Sequence, residues 1–284
     1  MRLVTDVEEW RSLADAERVA ARRVGLVPTM GALHAGHVSL FEAAKARGDV
    51  VFATTFVNPR QFDDEEDLGR YPHTPDIDRA LAKAHGVDYL VAPTLSAMWP
   101  DFPEPTATTV TVRGLGDVLE GAARPGHFDG VASVVAKLLV VTGPCRVYFG
   151  EKDFQQLAVI RQMVRDLSFG VDVVGCPIVR DADGLALSSR NVLLGADARR
   201  RALALSRAIA RVGEVPASAS EHRRVLRDEL ANDDVDVVYA DVVDPVTFAA
   251  SSDADTGDAR ALVAAVIDGV RLIDNGPVLL KGER

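Results

Sequence analysis

The sequence predicts an α/β fold: a doubly wound, mostly parallel sheet with helices on both faces, followed by a smaller α+β C-terminal domain. Three observations carry this. Between residues 24 and 179, short β-rich apolar runs alternate with segments of helical period. Runs such as 50–57 are apolar throughout, as strands covered on both faces are. After Asn191 the texture changes, first to Ala- and Arg-rich helical segments and then to alternating strands.

Each element has its own reason. Residues 24–28 read as a strand, and 36–47 as a helix with Leu40, Phe41 and Ala44 on one face and Gly48 as its stop. Residues 50–57 read as a central strand and 58–75 as a long polar loop. Asp76 caps a helix carrying Ile77, Leu81 and Ala84, which Gly86 ends. Residues 87–92, 146–149 and 171–179 read as strands, and 130–142 and 153–167 as helices. Beyond them, 196–212 and 221–230 read as amphipathic helices. Residues 236–243 and 261–272 alternate like strands with one exposed face, and 251–258 reads as a polar turn or loop. The expected boundary divides the chain into 1–179 and 180–284, with 180–191 at the mouth between them, where ligand sites often lie.

Composition narrows the function classes. A chain of 284 residues, 48% hydrophobic and 26% charged, buries enough surface to fold without disulfides or metals. A net charge of −10 repels nucleic acid and anionic lipid, so neither is an expected partner. Cys145 and Cys176 are well separated and make neither a zinc site nor a disulfide framework; a reduced, cytoplasmic setting is expected. Residues 1–23 carry no apolar core, so no secretory leader is expected, and no run is long enough to span a membrane. Lysine is scarce, so a lysine inside a motif stands out.

Five segments carry candidate chemistry. In 28–37, Met30, Gly31, Ala32, Leu33, His34, Ala35, Gly36 and His37 run from a strand end into a helix start. The glycines admit close backbone approach, free N–H groups there favour phosphate, and the two histidines share a side. A tight turn with two solvated histidines is the alternative. The segment 56–62 places Gln61 beyond a parallel strand, where open α/β sheets bind ligands; a polar loop is the alternative. In 124–130, Arg124 can hold a phosphate or carboxylate, or simply stand in a helix-entry turn. In 149–157, Gly150, Glu151, Lys152 and Asp153 lead into a helix. Lys152 offers a point charge for phosphate, Asp153 a cap, and Gln156 either a capping box or a substrate contact. In 183–191, Leu187, Ser188, Ser189 and Arg190 form either a phosphate cradle or an ordinary loop.

In this order the five segments resemble the pantoate–β-alanine ligase (pantothenate synthetase) family, closely over about residues 20–195 and more loosely beyond. His34-Ala35-Gly36-His37 is similar to the HxGH signature of the nucleotidyltransferase superfamily, and 187–190 to its KMSKS loop. The resemblance implies a Rossmann-like domain with a C-terminal lid, a homodimer, and a reaction using ATP with magnesium. In it, (R)-pantoate becomes pantoyl adenylate and β-alanine then displaces AMP. It implies ATP contacts at 30–37, 150–153, Val179 and 187–190. It further implies catalytic roles for His37, His34, Lys152 and Arg190, pantoate contacts at Gln61 and Gln156, and a β-alanine contact at Gln61. No metal ligand is implied. Phe154, Leu187, His73 and Ile77 depart from the family pattern, and Ile77 weakens any link of Asp76 or Asp78 to magnesium. Another nucleotidylyltransferase of the superfamily would share the histidines without the two glutamines. A silent nucleotide-binding regulator would not need His37, Lys152 and Arg190 together.

Overall fold

The computed structural model describes residues 1–231 and 235–282; positions 232–234 and 283–284 of the expected second domain lie outside the described residues. The larger sheet holds β1 (Arg2–Val4), β2 (Val24–Val27), β3 (Val50–Thr54), β4 (Tyr89–Val91), β5 (Cys145–Gly150) and β6 (Val171–Cys176). Their spatial order is β1-β4-β3-β2-β5-β6, and every pair is parallel. The helices of this half are α1 (Val7–Val19), α2 (Ala35–Ala46), α3 (Glu65–Arg70), α4 (Pro75–Ala84), α5 (Leu95–Met98), α6 (Glu120–Ala123), α7 (His127–Thr142) and α8 (Phe154–Asp166).

Strand alternation explains the two helical layers. Val24, Leu26, Phe52, Val147 and Phe149 pack into one core with Trp10 of α1 and Leu139 of α7. Val27, Val51, Ala53 and Tyr148 point the other way, onto Leu40, Phe41 and Ala44 of α2. The doubly wound reading therefore holds. The chain leaves β2 toward β3 in one direction, while β5 lies on β2's other edge with Leu26 opposite Val147. That reversal creates a crevice at the carboxyl ends of β2 and β5.

The second unit comprises α9 (Ala196–Gly213), α10 (Ala219–Ala231) and an antiparallel sheet of β7 (Asp236–Val243), β8 (Gly257–Ile267) and β9 (Val270–Leu280). Leu205 and Ile209 of α9 and Leu226 of α10 pack with Val242, Ala261 and Val263 of the sheet. Leu262 of β8 joins the core of the larger sheet's unit instead. The middle of the sheet's other face is thus covered, while the expected exposure persists at its far end, at Asp258, Pro277 and Leu279.

Other expectations shift for local reasons. β1 and α1 were not foreseen, because α1 is charged and turns only Trp10, Ala14 and Glu17 fully inward. Within the expected loop 58–75 lies α3, made helical by Asp64, which accepts from Glu66 N at 2.8 Å, and by an acidic first turn. Thr74, not Asp76, stands at the N-cap of α4; Asp78 and Ala82 face inward and Ile77 is exposed. The run 261–272 is a hairpin: Asp268 and Gly269 both take positive φ (49° and 75°), which closes a two-residue turn between β8 and β9. Cys145 in β5 and Cys176 in β6 are free and buried. No helix among the described residues is long and apolar enough to cross a membrane.

One close approach ties α7 to the crevice. A Cβ on Gly130 would lie 2.1 Å from the Arg60 carbonyl oxygen and 2.8 Å from Gln61 Cα. Backbone cannot yield as a flexible side chain does. Gly130→Ala should therefore cost about 1–3 kcal/mol, as overpacking does, and should lower the urea midpoint without changing the m-value. An unchanged midpoint would show that the 59–61 turn moves aside freely.

Candidate active site

The loops that follow β2, β3 and β5 meet over this crevice, and the second unit closes its side. The resulting cleft holds about 270 Å³. Its walls include Met30, His34, Gly36, His37, Gln61, Gly150, Lys152, Asp153, Gln156, Val179 and Leu187 through Arg190. The structure thus gathers most of the sequence-predicted residues. Gly31, Ala32, Leu33, Ala35 and Glu151 build the turns without lining the cleft.

The first loop is locked from behind. Gly31 and Ala32 take positive φ (80° and 48°), and the buried Asp78 carboxylate accepts from Ala32 N at 3.0 Å and Leu33 N at 2.8 Å. His34 then caps α2: its Nδ1 accepts from Gly36 N at 3.1 Å, while His37 Nδ1 accepts from His34 N at 3.3 Å. The rings lie 4.1 Å apart. A Cβ on Gly36 would sit 2.8 Å from the His34 ring, so a glycine is needed there. The N–H groups of Ala32, Leu33, His34, Gly36 and His37 are all spent inside the protein, the last on His34 O. The expected free N–H groups at this helix start are therefore not among these five. What the loop offers is imidazole. With each Nδ1 accepting, a neutral ring carries its proton on Nε2. Burial, then the charge of Lys152, lowers the His34 pKa to about 4; burial, with His34 and Lys152 nearby, lowers that of His37 well below 6.5.

Gln61 ends a 3-10 turn, Pro59–Gln61, whose N-cap is Asn58. Asn58 is buried, accepts from Trp99 Nε1 at 2.9 Å, and donates to Gly130 O and to Gln61 Oε1, both at 3.1 Å. The Gln61 oxygen is thereby taken, so its NH2 group is what the cleft receives. The Gln61 backbone carbonyl accepts from His127 Nδ1 at 2.7 Å and from Arg124 at 3.2 Å. Arg124 also binds Asp63 at 2.8 Å and lies 3.5 Å from Glu120. With these partners Arg124 braces the Gln61 turn, and it lines the cleft as well. Burial, then the Arg124 charge, brings His127 to about 4.

Lys152 lies on the 3-10 turn Glu151–Asp153 between β5 and α8, with its ammonium 3.5 Å from Asp153. Asp153 makes no side-chain cap on α8, which removes the capping-box reading of Gln156; the Gln156 side chain lines the cleft. Its neighbour Gln155 is buried and holds Leu115 O and Val118 O, each at 2.8 Å. Phe154 packs under the Arg260 guanidinium at 4.1 Å.

The 187–190 loop is docked, not free. Leu187 N donates to Val179 O at 3.0 Å, and Ser189 Oγ donates to Ala32 O at 3.1 Å. Arg190 grips Asp67 of α3 through two bonds of 2.7 and 3.2 Å and lies over the Tyr71 ring. Burial opposes the Arg190 charge, yet the Asp67 carboxylate holds its pKa above the ordinary value. The contribution of β9 was missed in the sequence. Arg271 pairs with Glu120 at 2.9 and 2.6 Å, and Asp274 with Arg180 at 2.6 and 2.9 Å. The only sequence signal for these was charge on a strand that otherwise reads as apolar.

With this geometry in place, the relatives of the chain are informative. A sequence model of the pantoate-beta-alanine ligase family matches residues 2–277. The chain belongs to the pantoate-β-alanine ligase family. The ligase is 45% identical to the pantothenate synthetase of Chlorobium luteolum over 97% of this chain and 98% of that one. It is 50% identical to that of Acidobacterium capsulatum over 91% and 87%. A crystal structure of pantothenate synthetase from Thermus thermophilus superposes with a TM-score of 0.88 at 47% identity, covering 97% and 99%. The ligase from Francisella tularensis, complexed with β,γ-ATP and β-alanine, superposes at 0.82 with 32% identity, covering 97% of each chain.

The histidines set a pH expectation. In the folded ligase His34 and His127 titrate near 4, below the 6.5 of a free histidine. Their contribution to stability is present above pH 6.5 and is lost as pH falls toward 4, where the unfolded chain binds protons first. Urea midpoints should drop across that window. NMR titration should show both rings still neutral at pH 5.5; protonation of both near 6.5 would contradict the burial argument.

Proposed function

We propose that the ligase joins (R)-pantoate to β-alanine in two steps. The pantoate carboxylate attacks the α-phosphorus of ATP to give pantoyl adenylate and pyrophosphate. The β-alanine amine then attacks the activated carbonyl, giving pantothenate and AMP. One observation carries this reading: two neutral imidazoles, one lysine and two uncharged glutamines converge on a single cleft at the sheet's reversal point.

The roles follow from chemistry. His34 and His37 present Nε2–H donors to the phosphates. A neutral donor lets negative charge grow in the transition state without a strong ground-state ion pair. Lys152 supplies a charge for the α-phosphoryl oxygens, and Ser188, Ser189 and Arg190 cradle the outer phosphates. Each well-aligned donor of this kind typically contributes about 3 kcal/mol to a developing oxyanion. Met30, Gly36, Gly150, Val179 and Leu187 shape the nucleotide's seat. Gln61 and Gln156 orient pantoate by hydrogen bonds alone, which leaves its carboxylate nucleophilic where an arginine clamp would blunt it. β-Alanine then approaches beside Gln61.

Among the described residues no cluster of three His, Cys, Asp or Glu side chains could hold a metal. Of the carboxylates lining the cleft, Glu120 and Asp274 are each doubly bound to an arginine, whereas Asp153 has a single, longer contact, with the Lys152 ammonium at 3.5 Å. This fits a magnesium ion carried by the nucleotide phosphates with Asp153 as a protein ligand. Such an ion neutralises charge on the pyrophosphate leaving group. The division into 1–179 and 180–284 is part of the same proposal. It is supported by the second unit's own apolar core, to which no residue of 1–179 contributes, and by the end of β6 at Cys176. The proposal also includes a cytoplasmic homodimer whose second unit acts as a lid.

Incubation with ATP, pantoate and β-alanine should yield pantothenate with AMP and pyrophosphate; ADP and phosphate as products would exclude the adenylate route. Gln156→Ala should raise the pantoate KM and lower kcat/KM for pantoate about ten-fold or more, with ATP binding near normal. Because Gln156 is not a cap, the melting temperature should stay close to that of the parent. Melting and pantoate titration run side by side decide this: unchanged pantoate affinity removes Gln156 from the site.

A further inference from the structure

Asn275 lies on β9, in the second unit, 123 residues from Lys152 in sequence. Its side chain is buried, and both of its ends are engaged. Nδ2 donates to Glu151 O at 3.1 Å and to Lys152 O at 2.7 Å. Oδ1 accepts from Arg260 Nε at 2.8 Å and Nη2 at 2.5 Å. Arg260 is in turn stacked on Phe154, the first residue of α8. The orientation of the amide is therefore fixed. Flipped, its oxygen would face two carbonyls and its NH2 a guanidinium.

The turn it grips needs such a support. Glu151–Asp153 is a single 3-10 turn, with no side-chain cap from Gly150 and none from Asp153 onto α8. A turn this short makes few hydrogen bonds of its own, so bonds to its carbonyls from outside add to what holds it. Lys152 takes its direction from this backbone.

We infer that Asn275 is a positioning residue: it registers the Lys152 turn against the second sheet, so that the C-terminal unit sets the lysine's aim as well as covering the cleft. The inference rests on the role given to Lys152 under Proposed function. Asn275 touches no reacting atom; it acts through the carbonyls of Glu151 and Lys152.

The test is a double-mutant cycle on the full chain, reading pantoate-dependent pyrophosphate release at saturating ATP. Asn275→Ala should lower kcat about ten-fold or more and leave the pantoate KM within about two-fold. Asn275→Asp keeps the shape and the bond to Arg260 but loses both donors, so it should fall similarly, and it serves if the alanine variant fails to fold. Val278→Ala, a cavity in the same strand away from the turn, should lower the melting temperature and leave kcat within about two-fold. In a Lys152→Ala background, Asn275→Ala should cost nothing further. Multiplicative losses, or an Asn275→Ala rate within two-fold of the parent, would overturn the inference and leave the proposed function standing. A fully active Lys152→Ala would overturn both the inference and the role given to Lys152, while the two-step ligation itself would stand.

Discussion

A single buried carboxylate supports the loop on which the cleft is built. Asp78 lies 3% exposed on α4 and accepts from two successive backbone N–H groups of the loop after β2, and from Thr74 Oγ1. Those residues follow or include Gly31 and Ala32, both at positive φ, where a non-glycine such as Ala32 needs outside support. A Cβ on Gly31 would lie 2.9 Å from Asp78 Oδ2, so the carboxylate and the glycine are matched in space. From that fixed loop follow the capping role of His34, the close packing of the tilted His37 ring against it, and the docking of Ser189 on Ala32 O.

Charge is distributed with restraint around this loop. The ligase carries a net −10, yet most charged groups at the cleft are already paired across elements: Arg190 with Asp67, Arg271 with Glu120, Arg180 with Asp274. The polar groups left facing inward are largely uncharged imidazoles and amides. Such groups are reached by hydrogen bonding more than by bulk attraction, which suits orientation better than capture. Tyr239, on β7, shows the same economy: burial, then the nearby Glu120, keeps its phenol protonated, and it donates to that carboxylate at 3.2 Å.

The parallel sheet was legible because its strands are apolar on both faces and its helices keep a clean period. The convergence of His34, His37, Lys152 and Gln156 was legible because each follows a strand end, and strand ends of one parallel sheet share a side. Residues whose placement depends on long-range partners were not. Asp78 entered only as a residue loosely linked to magnesium, Arg124 stayed open between an anion site and a helix-entry turn, and the amides of the first loop read as free, since nothing local shows which buried partners they will meet. Asp268-Gly269 is a different case. The dipeptide is a strong hairpin signal, and the surrounding run of alternating apolar residues concealed it. The β9 side chains reach the cleft only through packing of one unit on the other, which no spacing encodes.

Both thiols are sequestered inside the parallel sheet. Burial raises Cys145 to about 12 and moves Cys176 in the same direction. At neutral pH both thiols therefore stay protonated, and it is the thiolate that reacts with peroxides and disulfides. No cysteine stands among the residues that form the walls of the cleft. The sheet's interior therefore shields both thiols from oxidants that act on exposed thiolates, and neither stands beside the groups that face the cleft.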